Sequence, residues 1–259
     1  MKQEMIKQIV RVGNSAGVIL PKEWLNGKAK VELIVAPTDI KKEIFEILKD
    51  YLWDIRGIYL AGSYARKEET EKSDIDTIVI TGKTNKKIEK GKHSILFISQ
   101  EKVEAALKDN VLPILPMLKE AKTLLNEELI IKYKQTELTQ KNLAWHIEST
   151  KSILKIIKEF IELNREYGKT SDAVSYSLIL RIRGIYIVDS LIKKKMWTKK
   201  ELLKLIDKIS GSLEAYEGYL RVKNNMRKKE NLPIEQAEKL YNYIDRKIRE
   251  QEKWLTRKK

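Results

Sequence analysis

The stretch Leu60–Ile80 constrains the fold of this chain more than any other part of its 259 residues. Its first segment, Leu60–Arg66 (LAGSYAR), has the pattern of a buried strand that runs through Gly-Ser into the first turn of a helix. Glycine lets a backbone approach a ligand closely, and the free N–H groups at a helix N-terminus bind anions. Gly62 and the hydroxyl of Ser63 therefore predict a phosphate-binding turn.

The second segment of this stretch, Ser73–Ile80 (SDIDTIVI), opens an apolar strand with two acids. Side chains alternate between the two faces of a strand, so Asp74 and Asp76 point the same way. Two carboxylates on one face form a hard-oxygen site that suits Mg²⁺, which takes waters and substrate phosphates as its other ligands. The pattern indicates phosphoryl-type transfer, which depends mainly on positioning and charge compensation.

Gly-Ser followed by Ser-Asp-Ile-Asp resembles the signature of the DNA polymerase β-type nucleotidyltransferase superfamily, and the form GSYAR…SDID is similar to the minimal and antibiotic-type nucleotidyltransferases. The resemblance implies that Asp74 and Asp76 are catalytic and bind Mg²⁺ or Mn²⁺. It also implies that an NTP, with ATP favoured, is bound by Gly62, Ser63, Arg66 and Ser73. A solvated helix position explains Arg66 equally well.

The sequence departs from the superfamily pattern on one strand. The superfamily usually places a third carboxylate on a neighbouring strand, and the matching segment here, His93–Ser99 (HSILFIS), contains no acid. His93 is an alternative base, although a lone histidine at a strand start more often has a structural role, and Glu101 lies just past the strand. Two hypotheses stay open: an active enzyme, or a nucleotide-binding domain with weak or no activity.

The N-terminal residues 5–36 read as short strands and turns. Strands are predicted near 9–12, 18–20 and 31–35, with a turn cluster at 13–17 and one helical turn at 22–25. About thirty residues of this kind cannot bury a core alone, so the segment needs a second copy or another domain. We predict a homodimer through this segment.

The run Ile9–Leu25 (IVRVGNSAGVILPKEWL) is similar to the AbrB/MazE-type swapped-hairpin element, in which two chains interleave to close one small barrel and turn residues contact DNA. The resemblance implies DNA-facing positions at Lys7, Arg11, Asn14 and Ser15. Arginine and lysine serve phosphates, and asparagine can read a base edge. A dimerisation hairpin that touches no DNA is the alternative.

The remaining patterns complete an α+β fold: a nucleotidyltransferase mixed β-sheet with flanking helices, preceded by a small β-hairpin segment and followed by an all-α helical bundle. The predicted domains are the AbrB/MazE-like segment (1–37), the nucleotidyltransferase domain (38–138) and the helical bundle (139–259). The second domain has predicted helices at 40–52, 100–108 and 114–125, strands at 58–60, 75–80 and 94–98, and an edge strand at 126–134. The third has predicted helices at 139–166, 172–195, 199–209, 212–229 and 233–256, with the apolar stretch 174–192 as the buried central helix.

The formal net charge of +15 is concentrated in the C-terminal part of the chain. Residues 139–259 hold 28 Lys and Arg against 16 Asp and Glu, whereas residues 1–138 hold 24 against 21. This distribution favours a polyanionic partner such as DNA or RNA, with a solvated Lys/Glu surface as the equal alternative. Arg181 and Arg183 lie in the apolar central helix and need partners there, either a bound anion or an acid such as Asp189.

Composition limits the remaining possibilities. No apolar run approaches the length of a membrane span, the N-terminus lacks a signal-peptide pattern, and there is no cysteine, so we expect a cytoplasmic protein without a membrane partner. The favoured function is Mg²⁺-dependent transfer of a nucleoside monophosphate from an NTP to a hydroxyl acceptor on RNA, protein or a small molecule, with release of pyrophosphate. The alternative is a dimeric, DNA-binding regulator of the toxin–antitoxin type that binds nucleotide with weak or no catalysis.

Overall fold

A computed structural model describes residues 4–32, 39–71, 73–227, 229 and 231–257. The chain divides into two compact units, Met1–Glu43 and Ile44–Lys259. The two units differ in how far their apolar side chains are buried. None of residues 4–32 is buried, whereas the second unit contains a continuous apolar core that reaches from Tyr59 to Leu255.

The first unit contains a two-stranded antiparallel hairpin of β1 (Ile9–Val12) and β2 (Ser15–Val18). Its turn is shorter than predicted, because Gly13 adopts a left-handed φ of 57° and reverses the chain within two residues. The second strand therefore starts at Ser15, and the prediction of a strand at 18–20 is wrong by three residues. A short 3₁₀ helix follows at Lys22–Trp24. Most of the predicted third strand, residues 33–35, lies outside the described residues.

The second unit is built on a mixed β-sheet. Its strands in the described residues are β3 (Ile55–Leu60), β4 (Ile75–Thr81), β5 (Lys86–Lys90), β6 (His93–Ser99) and β7 (Lys122–Leu125). They lie in the order β5-β6-β4-β3-β7. The central strand β4 runs parallel to β6 and antiparallel to β3, and the two edge strands pair antiparallel with their neighbours. Six of the seven residues of β4 are buried, as expected for the centre of a sheet covered on both faces.

Helices precede, interrupt and follow these strands. They are α1 (Ile40–Leu48), which continues into a 3₁₀ turn, α2 (Gly62–Arg66), α3 (Gln100–Asp109), α4 (Leu115–Glu120) and α5 (Glu127–Lys134). The edge strand predicted at 126–134 is wrong. Asn126 caps α5 by accepting a hydrogen bond from the Leu129 N–H, and its side-chain amide donates to the Arg56 carbonyl. The edge strand is instead β7, in a stretch predicted as the end of a helix.

The C-terminal part of the second unit is a helical bundle. Its helices are α6 (Gln140–Leu163), α7 (Asp172–Ile192), α8 (Lys199–Ser210), α9 (Glu214–Lys223) and α10 (Ile234–Arg257). Two-residue strands β8 (Lys169–Thr170) and β9 (Leu232–Pro233) pair between them. The central position of α7 is confirmed, since it packs against α6, α8, α9 and α10. Among the described residues, no helix combines the length and the apolar character needed to cross a bilayer.

Buried polar groups fix how these helices pack. The fully buried Asp172 accepts two hydrogen bonds of 2.8 Å from Arg221 of α9 and one of 2.7 Å from the Lys229 N–H. His146 of α6 contacts the side chain of Gln251 of α10 at 3.1 Å, and Gln251 donates to Asp189 of α7 at 2.7 Å. These contacts connect three helices through one polar network in the core.

Of the two alternatives for Arg181, a bound anion or an acid such as Asp189, the pairing with Asp189 is not formed. Asp189 pairs instead with Lys247 at 3.1 Å. Arg181 is half-buried and donates a weak hydrogen bond of 3.4 Å to Ser149, and no acid of the described residues lies within ion-pair distance of it. Arg183 is exposed.

Candidate functional site

The site is organised where β3 enters α2 beside the start of β4. The Ala61 N–H donates to the Asp76 carbonyl at 2.8 Å, which ties the turn to the strand that carries the acids. Gly62 has a left-handed φ of 66°, and a Cβ at this position would collide with Asp76 Oδ2. Only glycine therefore lets the turn lie directly against the Asp76 carboxylate.

The two acids differ in environment. Asp74 is exposed and precedes β4, whereas Asp76 is half-buried within it. Burial, together with the Asp74 and Glu120 carboxylates, raises the pKa of Asp76 above its ordinary value. A carboxylate whose charge is disfavoured by its neighbours gains the most from a cation, so the pair is electrostatically suited to a divalent metal ion.

The other predicted nucleotide-binding residues lie around the same turn. The Ser63 hydroxyl makes no hydrogen bond to the described part of the protein and is available to a ligand. Ser73 is already engaged: its hydroxyl accepts from the Thr70 N–H at 2.9 Å and closes the turn before β4. Arg66 is neither solvated nor free, because its guanidinium is held by Glu68 at 2.8 Å and by Glu120 at 2.6 Å.

Glu120 is the residue of this site that the sequence analysis missed. Its side chain is only 6% exposed, and its Oε1 accepts a hydrogen bond of 2.9 Å from the Gly62 N–H. Its Oε2 accepts from Arg66 at 2.6 Å and from the indole N–H of Trp197 at 3.2 Å. One carboxylate thus connects α4, the Gly-Ser turn and the segment between α7 and α8.

One signal in the sequence could have identified Glu120. It is the last residue of α4, and an acid at a helix C-terminus is disfavoured by the helix dipole. Such a placement indicates a tertiary partner. The partner could not be predicted, because Gly62 lies 58 positions earlier.

The strand register confirms that β6 offers no third carboxylate. Asp76 pairs with Ser94, so a hydroxyl stands on β6 beside it on the same face. His93 pairs with Ile75, and its buried side chain therefore points to the opposite face. Glu101 lies in the exposed first turn of α3. Within the described residues, no group of three acidic, histidine or cysteine side chains is arranged to hold a metal ion.

A cation from the edge strand approaches the acids. Lys87 of β5 pairs with Leu96 of β6, which places it on the same face as Ser94 and Asp76. Its charge counteracts the rise in the pKa of Asp76, and the Glu89 side chain, followed by the charges of Asp76 and Asp74, raises the pKa of Lys87 itself. Strand β5 was not predicted, because its sequence KKIEK contains a single apolar residue.

The four predicted DNA-contacting residues lie in the first unit. All of them are exposed, and they cluster before β1 and around the hairpin turn: Lys7, Arg11, Asn14 and Ser15. Arg11 donates from Nε to the Gly13 carbonyl at 2.9 Å, which holds it beside the turn. The hairpin also exposes several apolar side chains, of which Ile6 is 84% and Ile19 71% exposed.

Comparisons with known proteins place the chain in a family. The family model described as nucleotidyltransferase domain matches residues 41–180, which is more than half of the chain. No match to a curated protein was found. Two of the similar solved structures are a nucleotidyltransferase-like protein from Exiguobacterium sibiricum, at 12% identity and a TM-score of 0.38, covering 81% of this chain and 73% of that one, and the spectinomycin adenyltransferase of Enterococcus faecialis with ATP and spectinomycin, at 15% identity and a TM-score of 0.42, covering 80% and 97%.

Proposed function

The chain belongs to the nucleotidyltransferase family, and we propose on that premise that it transfers a nucleoside monophosphate from an NTP to a hydroxyl acceptor. The observation that carries the proposal is the contact between the Gly62 turn and the Asp76 carboxylate. It brings the Gly-Ser turn and the second of the two acids to one point. In the reaction, the acceptor oxygen forms a bond to the α-phosphorus, the bond from that phosphorus to the bridging oxygen breaks, pyrophosphate leaves, and the hydroxyl proton passes to water.

Each residue of the site has a defined part in this proposal. Ser63 binds the triphosphate through its free hydroxyl, and Gly62, whose N–H is held by Glu120, lets the backbone of the turn approach the phosphates. Asp74 and Asp76 would hold Mg²⁺ or Mn²⁺, which would supply charge compensation at the phosphates and lower the pKa of the acceptor hydroxyl. The donor set fits such an ion, since both ligands are hard oxygens and the pKa of Asp76 is raised by burial and by the Asp74 and Glu120 carboxylates, whose repulsion a cation offsets. Arg66 acts indirectly in this scheme, because Glu68 and Glu120 already occupy its guanidinium.

The test is a transfer assay with α-labelled NTPs. The full-length protein is incubated with Mg²⁺ and each of the four NTPs in turn, with total cell RNA, protein and a small-molecule cell extract as acceptors. Asp74→Ala/Asp76→Ala protein is the control for contaminating activity. Label that moves to an acceptor in the wild type and not in the variant supports the proposal and identifies the acceptor class. Absence of transfer from every NTP refutes it.

A second candidate is a nucleotide-binding regulator with weak or no catalysis. It is favoured by Ser94, which stands beside Asp76 where the superfamily usually has an acid, and by the engagement of Glu120 with Gly62 and Arg66. In this case ATP binding by calorimetry is retained while no label is transferred.

We also propose that the first unit forms a homodimer. A hairpin that buries none of its side chains and exposes Ile6 and Ile19 needs a covering surface, and a second hairpin supplies one. Light scattering on the full chain and on a chain lacking residues 1–37 tests this: the full chain is dimeric and the truncated chain monomeric. A monomeric full chain contradicts the proposal.

DNA binding is tested separately from dimerisation. The exposed Lys7 and Arg11 contact phosphates in this proposal, and Asn14 reaches a base edge. A gel shift with random duplex DNA should weaken in Arg11→Ala at unchanged dimerisation. Binding that is equal in wild type and variant contradicts a role of the hairpin turn in DNA recognition.

A further inference from the structure

A cavity lies in the second unit, and none of the described residues of the Gly-Ser turn lines it. It has a volume of about 690 Å³ and is lined by α4, the segment after α5, the end of α7 with the segment that follows it, and the last turns of α10. Four lysines face it: Lys119, Lys134, Lys194 and Lys195. Glu137 is the one acid among the described residues that line it.

The lysines bring like charges together, which disfavours their charged forms. Lys119 and Lys134 are half-buried, and burial lowers the pKa of both. The Lys194 ammonium further lowers the pKa of Lys119, and the Lys119 ammonium lowers the pKa of Lys134, an effect that the Glu127 carboxylate partly offsets. Lys134 donates to the Ala121 carbonyl at 2.8 Å. Such a cluster is stabilised by a bound anion.

The backbone at Lys194 adds an independent indication. This residue closes α7 with a left-handed φ of 53°, a conformation that helix ends normally assign to glycine. A lysine in this position carries a backbone cost that glycine avoids. Strain of this kind is concentrated at functional sites, and here it accompanies a charge that faces the cavity.

The rest of the wall is apolar and aromatic. Trp197 and Trp254 line the cavity with Leu115 and Leu191. Aromatic faces beside lysines suit a ligand that combines a planar ring with a phosphate, because bases stack on indole and phosphates bind ammonium groups. The volume is sufficient for such a ligand.

We propose that this cavity is a second nucleotide site, which binds the phosphate of a nucleotide unit at Lys119, Lys134 and Lys194 and its base against Trp197 and Trp254. The site is distinct from the Gly-Ser turn and does not require that the chain transfers NMP groups. Trp197 is shared by both sites, since it lines the cavity and donates to Glu120, which in turn holds Gly62. A ligand in the cavity therefore contacts a residue that is two hydrogen bonds from the phosphate-binding turn.

The experiment measures AMP binding by calorimetry in EDTA and low salt, using the Asp74→Ala/Asp76→Ala protein so that metal-dependent binding at the first site is absent. AMP should bind saturably, and more tightly than adenosine or inorganic phosphate. Lys119→Ala/Lys194→Gly should weaken AMP binding about tenfold or more, because two charge-assisted contacts are lost. Lys199→Ala/Lys200→Ala, which removes the same charge from exposed positions of α8, should leave it unchanged.

A thermal scan separates binding from folding. Lys194→Gly should raise the melting temperature of the ligand-free protein by about 2–4 °C while it weakens AMP binding, a combination that a structural role does not produce. No saturable AMP binding, or equal loss in the cavity variant and the α8 control, overturns the proposal.

A 5′-phosphorylated trinucleotide distinguishes the sources of the nucleotide unit. Tighter binding than AMP identifies the end of a nucleic acid, and binding equal to that of AMP identifies a free nucleotide. These measurements use metal-free, catalytically impaired protein, so their outcome does not depend on the outcome of the transfer assay.

Discussion

Replacement of Glu120 by alanine should destabilise the second unit more than any other single change at the site. Glu120 accepts three hydrogen bonds in a nearly buried position: from Gly62, Arg66 and Trp197. A charge-assisted hydrogen bond contributes about 1.5–3 kcal/mol, and removal of one partner of a buried ion pair costs about 3–5 kcal/mol. Arg66 keeps Glu68 as a second partner, so we expect a loss near the lower end, about 3 kcal/mol.

The assay is thermal and urea unfolding followed by circular dichroism. A loss of about 3 kcal/mol lowers the melting temperature by about 6–12 °C in a chain of this size. Glu68→Ala is the matched control, since it removes the more exposed partner of the same arginine and should cost less than about 1 kcal/mol. If Glu120→Ala lies within 0.5 kcal/mol of the wild type (about the size of an ordinary surface change), the reasoning about this carboxylate is wrong.

Three further predictions follow from other charged groups. Asp76→Asn should raise the stability of the metal-free protein by roughly 0.5–2 kcal/mol, because it removes a half-buried charge repelled by two acids, and should abolish transfer; a less stable variant in EDTA contradicts this. Arg221→Ala should cost about 3–5 kcal/mol in urea unfolding, since it leaves the fully buried Asp172 without its bidentate partner, and an unchanged midpoint would show that this pair does not hold α7 to α9. Burial lowers the pKa of His146 below 6.5, so the stability that its neutral form contributes is complete above pH 6.5 and is lost as the pH falls through the lowered value; His146→Gln should flatten the decline in stability below pH 6.5, and an identical decline in both proteins would assign it to other groups.

Local motifs made the central part of the site predictable. Gly62, Ser63, Asp74 and Asp76 lie within fifteen consecutive positions, and strand periodicity alone places both acids on one face. The register of β6 against β4 then explains why the missing acid matters, because Ser94 stands directly beside Asp76. The helices of the bundle were predictable for the same reason, since their apolar periodicity is long and regular.

Contacts between distant segments were not predictable. Glu120 reaches Gly62 only because α4 packs beside the turn, and the cavity lysines come from three separate segments of the chain. Strand β5 could not be recognised from hydrophobic periodicity, because an edge strand can be almost entirely polar when its neighbour supplies the hydrogen bonds. The failed prediction of an edge strand at 126–134 has a related cause, since a short apolar run is ambiguous until a cap such as Asn126 is recognised.

The most direct test of the central claim is ATP binding by calorimetry in the presence of Mg²⁺ and in EDTA. If the Gly62 turn and the Asp74–Asp76 pair form one metal–nucleotide site, the wild type binds ATP much more tightly with Mg²⁺. Asp74→Ala/Asp76→Ala then loses this dependence, and Gly62→Ala loses binding because its Cβ displaces Asp76. ATP affinity that is independent of Mg²⁺ and unchanged in both variants would contradict the account.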